Sequence, residues 1–124
     1  MSKIKVDNIR IASESVSRPV RGVAAAWCIF DGYTATAASD MTGIKGSMNI
    51  SGLIDKKVGD YDLKVTSYLS SSIASASAGQ FDDGGGVTPT AVLDVSTILV
   101  QFYSGVTSHA DAEHLSSTVH GDLA

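Results

Sequence analysis

Three stretches of the chain carry residue types that do chemistry, and their spacing limits what that chemistry can be. The first is "HADAEH", residues 109–114, which with His120 and Asp122 gathers every histidine of the chain and three acids into fourteen positions. Imidazoles and carboxylates so grouped can hold zinc or a similar ion. A symmetric oligomer can also bring one histidine per chain to its axis. The spacing lacks the i, i+4 histidine pair that would present two imidazoles on one helix face. His109, His114 and His120 are therefore expected in a solvated or interface tail. No metal or cofactor is assigned, although an ion on these three is left open.

The second is Cys28, the only cysteine, beside Trp27, the only tryptophan, in "RGVAAAWCIFDG". A reactive thiol needs an electropositive, partly exposed setting. Cys28 has no His, Lys or Arg within six residues, so it is expected to be a small buried hydrophobe. The third is "FDDGGGVTP", residues 81–89. It lacks the alternating acids and distal Glu of a calcium loop, and the Lys-Ser/Thr of a phosphate loop. A turn-rich loop tip is expected instead. No nucleophile–base order or paired-carboxylate arrangement can be placed, so an enzyme is not expected.

The elements that would position these residues read as strands. Ala, Ser, Thr, Val and Gly are abundant, whereas Leu, Glu, Lys and Arg, which build surface helices, are few. The run 23–30, "VAAAWCIF", is apolar on both faces, which suits a strand covered on each side, in a sandwich or at an oligomer interface. Asp31-Gly32 signals a turn needing positive φ, with extended structure resuming in "YTATAA". Met48, Ile50, Leu53 and Ile54 mark another extended region, closed by a turn at Gly59. "YDLKVTSYL", 61–69, alternates most clearly, placing Tyr61, Leu63, Val65 and Leu69 on one face. Trp27, Phe30 and Tyr61 are the expected core anchors. Residues 70–89 read as a long loop with at most a weak strand around Ile73. Residues 90–105 read as one long strand or two joined by a bulge. In the tail, Ser108 and Asp111 could cap a short helix carrying Leu115 and Val119, or the segment could run extended along a neighbour.

At 124 residues the chain fits one domain with its own core. No apolar run approaches the roughly 20 residues of a membrane span, and "MSKIKVDNIRIAS" has no apolar signal block, so no membrane insertion is expected. The net charge of −4 is unevenly spread. Residues 1–21 carry five basic against two acidic side chains, +3, and residues 22–124 carry four lysines against eleven acids, −7. Five scattered cations without interleaved aromatics are not a phosphate-tracking surface, so nucleic acid is not an expected partner. The expected organisation is an extended arm, 1–20, bearing Ile4, Val6, Ile9, Arg10 and Ile11; a β-sandwich, 21–105; and a tail, 106–124. The fold class is all-β, an antiparallel β-sandwich.

The sequence also resembles short β-rich modules of tail-fibre and related structural proteins of tailed bacteriophages. "RGVAAAWCIFDG" is similar to that family's Trp-bearing strand ending in Asp/Asn-Gly. "SMNISGLIDKKVGDYDLKVT" is similar to its Asn-x-Ser stretch followed by a turn, Gly-Asp-Tyr and an alternating strand. "IKVDNIRIAS" looks like the segment that often precedes the module. The resemblance covers residues 1–69 and implies a structural protein of the virion, made in the host cytoplasm. It implies a homotrimer that docks on other virion proteins and in some cases contacts the host cell surface, with Tyr68, Phe81 and Tyr103 as possible surface contacts. A capsid decoration protein or a host-glycan-binding module are the alternative readings.

Overall fold

The computed structural model describes residues 24–80, 86–105, 108–121 and 123–124, together with the backbone of 8–9 and 18–19. Its strands are β1 (Asn8–Ile9), β2 (Arg18–Pro19), β3 (Ala24–Phe30), β4 (Ile44–Met48), β5 (Ile50–Lys57), β6 (Asp60–Val65), β7 (Ser75–Gln80), β8 (Gly86–Val87), β9 (Thr90–Asp94), β10 (Thr97–Gln101), β11 (Tyr103–Ser104), β12 (Ser108–His109) and β13 (Leu115–His120). Two four-stranded antiparallel sheets form the body, β4-β3-β13-β7 and β5-β6-β10-β9. A small sheet, β12-β11-β8, adjoins them, and β1 pairs with β2. The fold is an all-β antiparallel sandwich.

The core follows from two-residue alternation. On β6, Tyr61, Leu63 and Val65 turn inward and are buried, opposite Val100 and Ile98 of β10. On β3 the inward set is Ala26, Cys28 and Phe30, which faces Val119, Ser117 and Leu115 of β13. The rings of Phe30 and Tyr61 meet edge to face across the sandwich at 5.2 Å between centroids. Edge-to-face contact of this kind adds to the area both rings bury.

Asn49 turns the chain from one sheet to the other. Its φ is 60°, a conformation asparagine tolerates better than most residues. Its Nδ2 donates to the carbonyls of Ala25, at 3.0 Å, and Ser67, at 2.9 Å, and its Oδ1 accepts from Ser67 N–H at 2.6 Å. Gly59 closes the β5–β6 hairpin at φ 65°, where a Cβ would come within 2.6 Å of the Phe102 and Ala110 carbonyl oxygens.

Several expectations are corrected. Trp27 is not a fully buried core anchor. It points away from the core, and the inward place beside it belongs to Cys28, because the parity of β3 is set by Ala26 and Phe30. Phe30 and Tyr61 are fully buried. Residues 75–80, expected to be loop, form β7 along β13, while Ile73 lies outside any strand and is exposed. Residues 115–120, expected as a helix or a tail along a neighbour, are the strand between β3 and β7, with Leu115 and Val119 in the core. Residues 90–101 make a hairpin turning at Val95-Ser96 instead of a single or bulged strand. Gly32 does not have positive φ. Its place is fixed by close approach, since a Cβ there would strike the Tyr61 hydroxyl and the Ala112 carbonyl. "YTATAA" is turn and bend, not strand.

Candidate functional site

The residues singled out for chemistry are spread through the body. Cys28 is 1 % exposed, and burial pushes its thiol up to about 12, so it stays protonated and inert at neutral pH. His109 packs its ring on Tyr103 at 4.2 Å between centroids, within the small sheet where the two residues pair. His114 and His120 are exposed at opposite ends of β13. Among the described residues no three His, Cys, Asp or Glu side chains come together as a metal site. Tyr68 is exposed and Tyr103 half-buried. Ile4, Val6, Arg10, Ile11 and Phe81 lie outside the described residues, and Ile9 enters only through its backbone pairing with Arg18.

A half-buried polar junction lies at one end of the sandwich. Asp111 Oδ1 accepts from the Tyr61 hydroxyl at 2.6 Å and from Gly59 N–H at 2.8 Å. The Tyr61 phenol is raised in pKa, first by burial and then by that bond. Asp55 stands opposite Tyr61 on β5. Its Oδ1 is enclosed without a hydrogen-bond donor, and its carboxyl is raised above the usual range, first by desolvation and then by the charge of Asp111. Asp111 and Tyr61 join the β5–β6 turn to the segment leading into β13.

The outer surfaces of the two sheets differ in chemistry. Facing away from the core on β6 are Asp60, Asp62 and Lys64. Lys57 approaches Asp60 at 3.7 Å, Lys56 approaches Asp62 at 3.5 Å, and Lys64 Nζ donates to Thr97 Oγ1 at 2.7 Å. The outer surface of β4-β3-β13-β7 has no such dressing. Its central outward positions are Trp27 opposite Met48 and Thr118, Ile29 opposite Gly46 and Ser116, and Ser77 and Gly79 along β7. None of these carries a charge; exposed His120 continues the same parity at the end of β13, and Lys45, at the bulge where β3 and β4 part, is paired with Asp31 at 3.7 Å.

This surface has relief. The Trp27 ring lies across Gly46, where a Cβ would come 3.4 Å from Cζ3. Ile29 and Met48 stand 43 % and 40 % exposed beside it. Beyond Ile29 the surface drops into an open slot of about 320 Å³ lined by Ile29, Gly79, Gln80, His114, Leu115 and Ser116. Its floor is low because Gly79 has no side chain and the Ser116 hydroxyl is turned down onto the Gly79 carbonyl at 3.3 Å. Ile29, Met48, Gly79 and Ser116 were not among the residues the sequence singled out. The signal available was "VAAAWCIF" itself, apolar on both faces where a half-buried strand would show one polar face.

Comparison with protein-family models, with curated proteins and with solved structures gives no match to this chain.

Proposed function

We propose that this protein is a non-enzymatic structural module of a tailed-phage virion, a tail-fibre or tail-appendage component. In this reading it self-associates as a homotrimer and docks on another virion protein through residues 1–20. The virion assignment rests on the sequence resemblance over residues 1–69. The structural role is carried by one observation: the surface of β4-β3-β13-β7 presents Trp27, Ile29 and Met48 among small, uncharged neighbours, whereas the opposite sheet is dressed with ion pairs. Patches that combine exposed apolar side chains with an absence of charge are characteristic of protein contacts. The inward use of Cys28 and the Tyr61–Asp111 joint support the same reading, because these groups hold the sandwich together.

Electron microscopy of virions carrying a labelled copy tests the assignment. The label is expected on the tail or its appendages, and a label confined to the head would replace this reading with a capsid decoration role. Deletion of residues 2–18 is expected to leave the body folded and absent from assembled particles. Normal occupancy by the truncated protein would remove the docking role.

A further inference from the structure

We propose that the surface of β4-β3-β13-β7 is covered by another copy of this chain, with Ile29 of one copy seated in the slot above Gly79 and Ser116 of the next. This rests on the self-association proposed above and specifies where it occurs.

Charge selects the occupant. The body, residues 22–124, carries four lysines against eleven acids, so two copies approaching elsewhere bring carboxylates toward carboxylates. Like-charge juxtaposition across an interface is costly. The central outward positions of this sheet carry neither acid nor base, its exposed histidines, His114 and His120, lying at the two ends of β13, so a second net-negative body can reach it without burying an unpaired carboxylate. At the centre of this surface a polyanion would find no lysine or arginine and a polycation no carboxylate.

Shape selects the manner. Ridge and slot are adjacent halves of one surface: Trp27, Ile29 and Met48 rise on β3 and β4, and the ground falls over Gly79 and Ser116 on β7 and β13. A surface with both a projection and its recess is complementary to itself. When the two halves meet different neighbours the contact is head-to-tail, and a rotation that closes it makes a ring, which for three copies is the trimer. The Ile29 wall of the slot suits a branched aliphatic side chain, and Gln80 and His114 supply a polar rim.

Gly79 offers a clean test. A Cβ there would meet Ser116 Oγ at 3.5 Å, an ordinary contact, and its φ is not in the left-handed region, so a side chain is tolerated within one copy while filling the slot. Mass in solution would be measured across a concentration series for the wild type, Gly79→Leu and Ile29→Lys. The wild type is expected to associate, and each variant to shift the midpoint of association at least tenfold upward or to remain monomeric, with its thermal transition as a monomer retained.

A second arm does not depend on how the variants fold alone. Ile29→Cys and Gly79→Cys, prepared separately, are mixed and oxidised. Within one copy these positions are separated by β13, roughly 9 to 10 Å at the spacing of strands and beyond the reach of a disulfide, so a bond between them joins two copies. Cys28, buried and protonated, leaves a quiet background. A mixed disulfide is expected in good yield. Undiminished association of both variants, with no mixed disulfide, would overturn this surface while leaving self-association standing. A wild type monomeric at every concentration would overturn both and leave the surface to a different protein.

Discussion

The hydroxyl of Tyr61, at the start of β6, donates to Asp111 Oδ1 at 2.6 Å and so ties the centre of one sheet to the segment that delivers the central strand of the other. The phenol ring is fully buried against Phe30, and Gly32 leaves the space its hydroxyl needs. Tyr61→Phe keeps the ring and removes only the donor. Hydrogen bonds to charged groups contribute about 1.5–3 kcal/mol, so a loss in that range is expected in urea unfolding, with the m-value unchanged. A loss under about 0.5 kcal/mol, the range of ordinary surface changes, would show that the joint contributes little.

Asp55 sets a pH dependence of definite sign. Desolvation and the nearby charge of Asp111 raise its carboxyl, and Asp60 adds to this, while a backbone hydrogen bond at Lys57 acts the other way. A carboxyl raised in the folded state binds its proton more tightly folded than unfolded. Its contribution to stability is fully present below the unfolded pKa and is lost as pH rises through the raised folded one. Asp55→Asn is therefore expected to unfold at higher temperature than the wild type at pH 7, with the gap closing below about pH 4, the ordinary carboxylate range. Asp40 and Asp94 act in the opposite sense. Hydrogen bonds from Thr42 and from Ser96, respectively, lower their pKa values, so what they contribute is present at neutral pH and fades on acidification. An Asp55→Asn gap that stayed constant from pH 7 to pH 3.5 would assign its effect to packing instead of charge.

Asn49 is the residue through which one sheet hands the chain to the other. Asn49→Ala removes three hydrogen bonds and places alanine at φ 60°. At about 1 kcal/mol per bond and another 1–2 kcal/mol for the backbone, a loss of roughly 4 kcal/mol is expected. Asn49→Gly loses the same bonds without the steric cost and should retain about 1 kcal/mol more. Equal losses in the two variants would mean that the left-handed conformation is not enforced in solution.

What the sequence disclosed and what it withheld have physical reasons. The alternation from Tyr61 to Leu69 pairs large apolar with polar residues, so one reading fits, and Tyr61, Leu63, Val65 and Leu69 are all buried. "SASAGQ" alternates too, but between serine and alanine, whose difference in hydrophobicity is too small to mark a face; β7 exists because β13 offers it a partner along its whole length. "LSSTVH" places Leu115 and Val119 four apart, a spacing that serves a helix face and a strand face alike. Two flanking strands decide for the strand. Alternation also fails where both faces are apolar. In "AAAWCIF" parity allows Trp27 or Cys28 to turn inward, and the choice follows from Ala26 and Phe30, buried on the same parity as Cys28, and from Gly46, which gives the indole a place on the outside. The contact surface was hidden for the same reason: it is defined by glycines and serines that acquire meaning only when four strands set them side by side.

The outward position of Trp27 gives a direct reading of both stability and assembly. Phe30→Ala should cost about 3–5 kcal/mol, the range for truncating a fully buried aromatic. Trp27→Ala should cost clearly less in the isolated monomer, because the indole is only partly buried and lies across Gly46 on the face turned away from the core. As the only tryptophan, Trp27 also reports on what covers that side. Its emission is expected to shift to shorter wavelength as protein concentration rises through the range in which mass increases, since association removes the indole from water. Ile29→Lys should hold the emission at the monomer wavelength throughout the same range. A rise in mass with no change in Trp27 emission would place the contact between copies away from this sheet, and a Trp27→Ala cost equal to that of Phe30→Ala would mean that the indole is as deeply packed as the phenyl ring.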